Sequence, residues 1–131
     1  MVKEIIIIII VITIIFVGDV IMQKYTNNII NELSSKLLEL KENIKESNQE
    51  KAKDEIKKQI EEVHEKWIQK SKYLSVLIEH TELEKVETSL ISSKSFIENE
   101  EYDKAISELD KSIYLLNHVK EKYEFEWQKI F

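Results

Sequence analysis

A run of branched apolar side chains near the N-terminus restricts the fold of this chain more than any other feature. Residues 5–10 are six consecutive isoleucines, and apolar residues continue to Val17 with Thr13 as the only polar interruption. A threonine hydroxyl can bond back to its own helix, whereas an amphipathic soluble helix needs a polar face that this run does not have. The run therefore predicts a membrane-spanning helix, with a cleaved signal peptide and a buried soluble helix as the alternatives.

The apolar character extends past Gly18 and Asp19 and ends at Met22. Residues 5–22, from Ile5 to Met22, would cover roughly 27 Å as a helix, which is enough for a thin bilayer core. Asp19 would then lie about one turn from the far boundary, where its burial costs little. The lipid bilayer is accordingly the expected partner of this segment.

The sequence also bears on cleavage and orientation. Signal peptidase prefers small residues in an A-x-A-like pattern, and the first alanine of the chain is Ala52. We therefore expect an uncleaved signal anchor. The amino terminus and Lys3 lie on one side of it, and Asp19 and Lys24 follow on the other. This distribution favours a single-pass protein of the cell membrane with a cytoplasmic N-terminus and an extracytoplasmic C-terminal domain.

The remaining composition indicates one all-α domain. The chain has 131 residues, no proline and a single glycine, so the residues that punctuate hairpins are nearly missing. It has no cysteine, which excludes disulfides, thiol catalysis and zinc–cysteine sites. It also has no arginine and a net charge of -6, so no nucleic acid is expected as a partner. We predict a membrane anchor over residues 1–23 and a helical bundle domain over residues 24–131.

Beyond the anchor, apolar residues recur at steps of three and four, the spacing of helices that each bury one face. Four stripes predict an antiparallel bundle of about four helices, arranged as two α-hairpins. The stripes are Ile30, Leu33, Leu37, Leu40 and Ile44; Ile56, Ile60, Val63, Trp67, Leu74, Leu77 and Ile78; Leu83, Val86, Leu90 and Ile97; and Tyr102, Ala105, Leu109, Ile113, Leu116, Tyr123, Trp127 and Ile130.

Helix-capping sequences predict three turns, near residues 47–50, 79–82 and 98–101. Ser47 and Thr81 each precede a glutamate by three residues, which is the capping-box spacing. Asn99 precedes two acids, which predicts the N-cap of the last helix. In this scheme His80 ends a helix, where an imidazole can meet the last carbonyl groups.

The second hairpin leaves one alternative architecture open. Residues 102–106, Tyr-Asp-Lys-Ala-Ile, resemble the start of the second helix of a tetratricopeptide unit. The small residue usual in the first helix and the closing proline are missing, and a peptide-binding groove needs about three units. A short array of such units is therefore an alternative to a closed bundle.

Residues that could carry chemistry are few. Glu79, His80 and Glu82 cluster an imidazole with two carboxylates, a combination that suits several divalent ions, but no H-x-x-x-H spacing accompanies them. Trp67 lies on an apolar stripe and either packs in the core or lines a pocket. No phosphate-binding loop and no nucleophile elbow is visible. We predict no catalytic, metal-binding or cofactor-binding residue, no cofactor and no enzyme activity.

Features along nearly the whole chain form one recognisable pattern: the N-terminal isoleucine run, Trp67, residues 73–80 (Tyr-Leu-Ser-Val-Leu-Ile-Glu-His), Glu82, Ser89, Leu90 and Phe131. In these features the chain resembles domain of unknown function family 4363, small membrane-anchored helical proteins of low-GC Gram-positive bacteria. The resemblance implies a single N-terminal anchor, a helical domain outside the cytoplasm and no established activity. It makes Trp67, Leu77, Ile78, His80 and Glu82 family-typical positions and candidates for function.

These observations favour an interaction or structural module of the cell envelope, with an unidentified protein partner. A sensory or small-ligand-binding domain with a pocket near Trp67 and His80 is the first alternative. A metal-dependent enzyme at the His80 turn is the second.

Overall fold

The computed structural model describes the backbone of residues 1–46 and 50–130, and the side chains of residues 1–46 and 52–122. Four helices account for nearly all of these residues: α1 (Val2–Glu46), α2 (Glu50–Leu74), α3 (His80–Glu98) and α4 (Tyr102–Ile130). The described residues contain no strand. The predicted all-α fold class is therefore confirmed.

Helix α1 joins the apolar segment to the bundle without a break. It runs for 45 residues, which corresponds to about 68 Å. Its first part is exposed on all sides, and the Thr13 hydroxyl donates a hydrogen bond of 2.8 Å to the Ile9 carbonyl within the same helix. From Thr26 to Ile44 its inward face is buried. One helix thus contains both the predicted anchor and the first helix of the bundle.

The bundle is a closed ring of four helices in chain order. Helix α1 packs on α2 and α4, and helix α3 packs on the same two, while no diagonal pair is in contact in the described residues. Because each short link reverses the chain direction, neighbouring helices are antiparallel. The packing of α4 back on α1 closes the ring, so the alternative of an open tetratricopeptide array is wrong.

The core contains the apolar residues that the four stripes predict. Most of them are buried, and Leu77, Tyr102 and Ile113 are half-buried against the same core. Ile29 and Val119 also belong to the core, although none of the four predicted stripes includes them. The side chains of Tyr123, Trp127 and Ile130 lie outside the described residues.

Several hydroxyl groups are also buried in the bundle. Ser89, Ser93 and Ser112 are at most 1% exposed. The Ser93 hydroxyl donates to the Ser89 carbonyl at 2.8 Å, and the Ser112 hydroxyl donates to the Glu108 carbonyl at 2.9 Å. A serine that bonds to a carbonyl one turn earlier satisfies its own polar group. These residues can therefore enter the core at a contact where larger side chains would hold the helices apart.

The link between α3 and α4 lies where the sequence predicts it, but Asn99 has the opposite role. Asn99 is the C-cap of α3, not the N-cap of α4. The amide of Glu101 donates to the Phe96 carbonyl at 2.8 Å, and the amide of Glu100 donates to the Ile97 carbonyl at 3.1 Å. This is the hydrogen-bond pattern of a Schellman motif. Glu100 occupies its left-handed position, with φ of 57°.

The link between α2 and α3 differs from the prediction by about one helical turn. It covers residues 75–79, so His80 begins α3 and does not end α2. Thr81 consequently lies inside the helix, and Glu79 is the N-cap residue without a side-chain cap hydrogen bond. The hydroxyls of Ser71 and Ser75 bond to carbonyls three residues earlier, which offers the backbone an alternative to the helix and helps end α2.

The link between α1 and α2 is where the sequence predicts a capping box at Ser47. Helix α1 ends at Glu46 and α2 begins at Glu50, in agreement with a turn near residues 47–50. Residues 47–49, and with them the proposed Ser47 cap, lie outside the described residues.

Candidate functional site

The end of the bundle from which the apolar segment projects holds most of the candidate residues, and we call it the anchor-proximal end. It comprises α1 near Thr26, the end of α2, residues 75–79 and the start of α3. The position of this end along α1 follows from a contact between Lys70 of α2 and Tyr25 of α1. The Lys70 ammonium lies 3.4 Å from the Tyr25 hydroxyl and 5.6 Å from the centre of the Tyr25 ring.

His80 is a surface residue at this end. Its side chain is 81% exposed, and its Nε2 lies 2.8 Å from the Glu84 carboxylate one turn further along α3. Exposed pairs of this kind stabilise a helix only slightly. The position leaves the imidazole accessible to solvent and to any partner that approaches the start of α3.

Glu82 is the least exposed acid among the candidates, with 11% of its side chain accessible. Its Oε1 lies 3.6 Å from the Lys85 ammonium and 3.8 Å from the Lys122 ammonium of α4. Lys122 also lies 3.5 Å from the Glu79 carboxylate. A nearly buried carboxylate needs partners of this kind, and its place in the first turn of α3 is favourable for a negative charge. The cluster ties the start of α3 to α4.

Trp67 lies in the core and is not exposed at all. Its indole Nε1 is buried without a hydrogen-bond partner, as is the Thr26 hydroxyl of α1. Leu77 and Ile78 also pack at the core, Ile78 buried and Leu77 half-buried. Four of the five candidates therefore face the interior wholly or in large part, and only His80 is displayed on the surface.

A small cleft lies beside His80, between the end of α2 and the start of α3. It has a volume of about 260 Å³ and is bordered by Ser71, Lys72, Ser75, His80, Leu83, Glu84 and Glu87. Pockets for drug-sized ligands typically start near 300 Å³ and enclose most of the ligand. Trp67 does not border this cleft, so the cleft beside His80 is not the predicted pocket shared by Trp67 and His80.

The geometry also bears on metal binding. Within the described residues, no group of three or more His, Asp or Glu side chains is placed to hold a metal ion. At the predicted turn, the carboxylates of Glu79 and Glu82 pair with lysines, and the His80 imidazole pairs with Glu84. No observation in this region favours a metal-dependent enzyme.

A second charged cluster lies further along the bundle, where α1 and α2 meet. The Lys66 ammonium hydrogen-bonds the Glu32 carboxylate, and this bond lowers the pKa of Glu32 below its usual value of 4.5. Lys36, 3.7 Å from the same carboxylate, acts in the same direction. The bond to Glu32 raises the pKa of Lys66 above 10.5. The pair links α1 to α2 at the surface of the bundle.

Two exposed residues at the anchor-proximal end, Tyr73 and Val76, are not among the candidates that the sequence predicts. Tyr73 is 61% exposed and Val76 is 79% exposed. Both lie within residues 73–80, the stretch that resembles the family, but neither falls on an apolar stripe. The available signal was the composition of residues 75–79, Ser-Val-Leu-Ile-Glu, because links between helices are usually polar.

Comparison with known proteins gives one family and no relative of known structure. The family model described as Domain of unknown function (DUF4363) matches residues 20–130. No curated protein and no solved structure matches the chain significantly. The family match covers the helical domain and leaves residues 5–19, with the isoleucine run, outside it. Among the described residues one helix, α1, is long and apolar enough to cross a membrane, a property shared by membrane anchors and signal sequences.

Proposed function

The chain belongs to the DUF4363 family of domains of unknown function, and we propose that it is a single-pass membrane-anchored module of the cell envelope. In this proposal residues 5–22 span the bilayer and the bundle stands outside the cytoplasm. The bundle serves as an interaction or structural element for a protein partner.

The exposure of the apolar segment carries this proposal. None of the most apolar stretch of α1 is buried in the bundle, whereas a soluble core helix would bury such a surface. The same helix continues into the core at Thr26. Because α1 has no link at the end of the apolar segment, it offers no extended stretch for a peptidase. These features favour an uncleaved anchor over a removed signal.

The anchor is tested by membrane extraction of the full chain and two matched variants. A lysine at the centre of a span costs about 3 kcal/mol on insertion scales, whereas an isoleucine-to-leucine change is nearly neutral. We expect the wild type and Ile12→Leu to stay in the membrane fraction after alkaline washing, and Ile12→Lys to be depleted from it. A wild-type chain released by the wash would overturn the proposal.

The orientation is tested by single cysteines, which are informative because the chain has none of its own. Ser107 is exposed on α4, and Val2 lies on the other side of the apolar segment. In intact cells, a membrane-impermeant maleimide is expected to label Ser107→Cys and to leave Val2→Cys unlabelled until the cells are lysed. The reverse labelling would place the bundle in the cytoplasm.

A partner-binding role is supported by exposed aromatic groups on α4. Tyr114 is 67% exposed, and its ring stacks on that of His118 with centres 6.2 Å apart. Exposed aromatic side chains are enriched where proteins bind each other. A photo-crosslinking residue at Tyr114 is expected to capture a discrete partner in cells, and the same residue at exposed Ser95 serves as the control. A chain that remains monomeric and uncrosslinked from both positions would contradict this role.

A further inference from the structure

We propose that the bundle stands directly on the bilayer and that the α2–α3 link, residues 75–79, together with Tyr73, inserts into the lipid interface as a second membrane contact. This inference rests on the proposed membrane anchor. It adds a lipid-binding surface on the bundle itself, formed by residues far from the spanning segment in sequence.

The helix register gives the height of the link. Lys70 lies opposite Tyr25, and Leu74, four residues further along antiparallel α2, lies about 6 Å nearer to the N-terminus of α1. This places the end of α2 roughly at the level of Ile21. The link therefore begins at the height where the predicted spanning segment ends, at Met22.

Helix α4 reaches a similar height by an independent measure. Lys120 of α4 donates to the Asn31 side chain at 3.1 Å, and Lys41 pairs with Asp110 at 2.6 Å. Both pairs follow the same antiparallel register. The end of α4 at Ile130, ten residues beyond Lys120, therefore also lies roughly at the level of Ile21. The bundle has no stalk between its base and the apolar segment.

The headgroup layer of a bilayer extends several ångströms beyond the hydrocarbon core. With the hydrocarbon boundary near Met22, a link at the level of Ile21 lies within this layer. The continuity of α1 holds it there, because α1 contributes to the bundle core and to the apolar segment in one helix.

The exposed side chains of the link suit that environment. Outside α1, Val76 is the most exposed large apolar residue of the described bundle, at 79%, and Tyr73 is 61% exposed. Tyrosine is enriched at membrane interfaces, where its ring is partly apolar and its hydroxyl stays hydrated. Lys72, next to Tyr73 and exposed, can extend its ammonium group to the headgroups. The link acid Glu79 has Lys122 at 3.5 Å, which offsets its charge.

The opposite end of the bundle has a different composition. The link between α3 and α4 is Asn99-Glu100-Glu101, with all three residues exposed. A bundle surrounded by water at both ends would favour polar residues in both links. Leu77 and Ile78 of the other link pack against the core, so the contrast lies between Asn-Glu-Glu and the exposed Val76, with Tyr73 beside it. An exposed apolar residue at one end alone is expected when that end faces lipid and the other faces water.

The test uses the full chain with an environment-sensitive fluorophore on single cysteines, reconstituted in phosphatidylcholine vesicles. Val76→Cys is the reporter and Tyr73→Cys is a second reporter. Ser107→Cys is the control, since its register with α1 places it roughly 35 Å from the level of Ile21. Half of the vesicle samples contain a lipid with a nitroxide on the headgroup, which quenches nearby fluorophores.

We expect blue-shifted emission and a loss of fluorescence with the nitroxide lipid at positions 76 and 73, with neither change at position 107. Equal, unquenched emission at all three positions in chains that float with the vesicles would overturn the second contact and leave the anchor intact. Blue-shifted emission without nitroxide quenching would also overturn it, because a protein surface would then cover the link. Chains that fail to float would refute the anchor itself.

Discussion

The hydroxyls of Ser89 and Ser112 lie 2.7 Å apart in the buried contact between α3 and α4. Ser112 donates to the Glu108 carbonyl at 2.9 Å, and Ser89, which lies 3.2 Å from the same carbonyl, can donate either to it or to the Ser112 oxygen. The contact is therefore polar but satisfied, and it depends on side chains small enough for the two helices to approach. Its energetic character differs from that of the surrounding apolar core.

Enlarging Ser89 is expected to destabilise the bundle. Ser89→Leu forces extra methyl groups into a site that is 1% exposed, and overpacking of this kind costs about 1–3 kcal/mol. Ser89→Ala removes hydrogen bonds without adding volume and is expected to cost about 1 kcal/mol. Thermal unfolding of the full chain in detergent measures both. Thr88→Leu, on the exposed side of the same helix, is the control, and a loss as large as that of Ser89→Leu would refute the packing argument.

Replacing Glu100 with glycine is expected to stabilise the bundle. Glu100 has a φ of 57°, a conformation that costs a residue with a side chain about 1 kcal/mol and costs glycine little. The change also removes an exposed ion pair with Lys53, which contributes a few tenths of a kcal/mol at most. We expect the melting temperature to rise by a few degrees.

The matched control for Glu100→Gly is Ser95→Gly, at an exposed position inside α3. Glycine in a helix interior is unfavourable by roughly 0.5 kcal/mol relative to serine, so this variant should melt at a lower temperature. If the two glycine variants changed the melting temperature in the same direction, the left-handed conformation of Glu100 would not be the cause.

The Glu32–Lys66 pair predicts a specific dependence of stability on pH. The pKa of Glu32 is lowered in the folded state by its hydrogen bond to Lys66. Its contribution is therefore fully present above the unfolded-state pKa of about 4.5 and is lost as the pH falls through the lower folded-state value. The difference in melting temperature between wild type and Glu32→Gln should be largest near neutral pH and should shrink below about pH 4.5.

The stability that Lys66 contributes depends on pH in the opposite direction. Glu32 raises the pKa of Lys66 above its usual value of 10.5. The stability that Lys66 contributes is therefore fully present below pH 10.5 and is lost as the pH rises through the folded-state pKa. Glu39→Gln, at another exposed acid of α1, is the control for loss of a carboxylate. A difference for Glu32→Gln that stayed constant from pH 7 to pH 3 would contradict the assigned pKa shift.

Truncation of Trp67 separates packing from hydrogen bonding. Trp67 is fully buried, and Trp67→Ala is expected to cost about 3–5 kcal/mol. Its Nε1 has no hydrogen-bond partner, and a buried unpaired donor is unfavourable. Trp67→Phe removes that donor and leaves a smaller cavity, so it should cost much less than Trp67→Ala. Chemical denaturation of the two variants measures this difference, and equal losses would show that the indole group has a partner in solution.

The apolar stripes made the four helices predictable, because each stripe covers one buried face. The ends of α1 and α3 followed from the same pattern together with Ser, Asn and Glu in the links. The α2–α3 link was misplaced because Thr81 and Glu84 have capping-box spacing inside a helix. The pattern could not show that Ser71 and Ser75 would end α2 earlier by bonding to nearby carbonyls.

The polar members of the core were harder to predict than the apolar ones. Ser93 fills the seven-residue gap between Leu90 and Ile97 in the α3 stripe, at the step where a buried residue belongs. Its burial depends on a hydrogen bond inside the helix, which the residue type permits but does not require. The family resemblance identified Trp67, Leu77, Ile78 and Glu82 as positions of interest, and most of their contacts are structural. That these positions also have a functional role stays a prediction.

Because α1 is one continuous helix, a change in the tilt of its apolar segment moves the far end of the bundle. About 36 Å of helix separates Met22 from Glu46, at the far end of the bundle. No flexible joint lies between them, so a 10° change in the tilt of the apolar segment displaces that far end sideways by about 6 Å. A small reorientation at one end of α1 thus becomes a movement larger than a helical turn at the other.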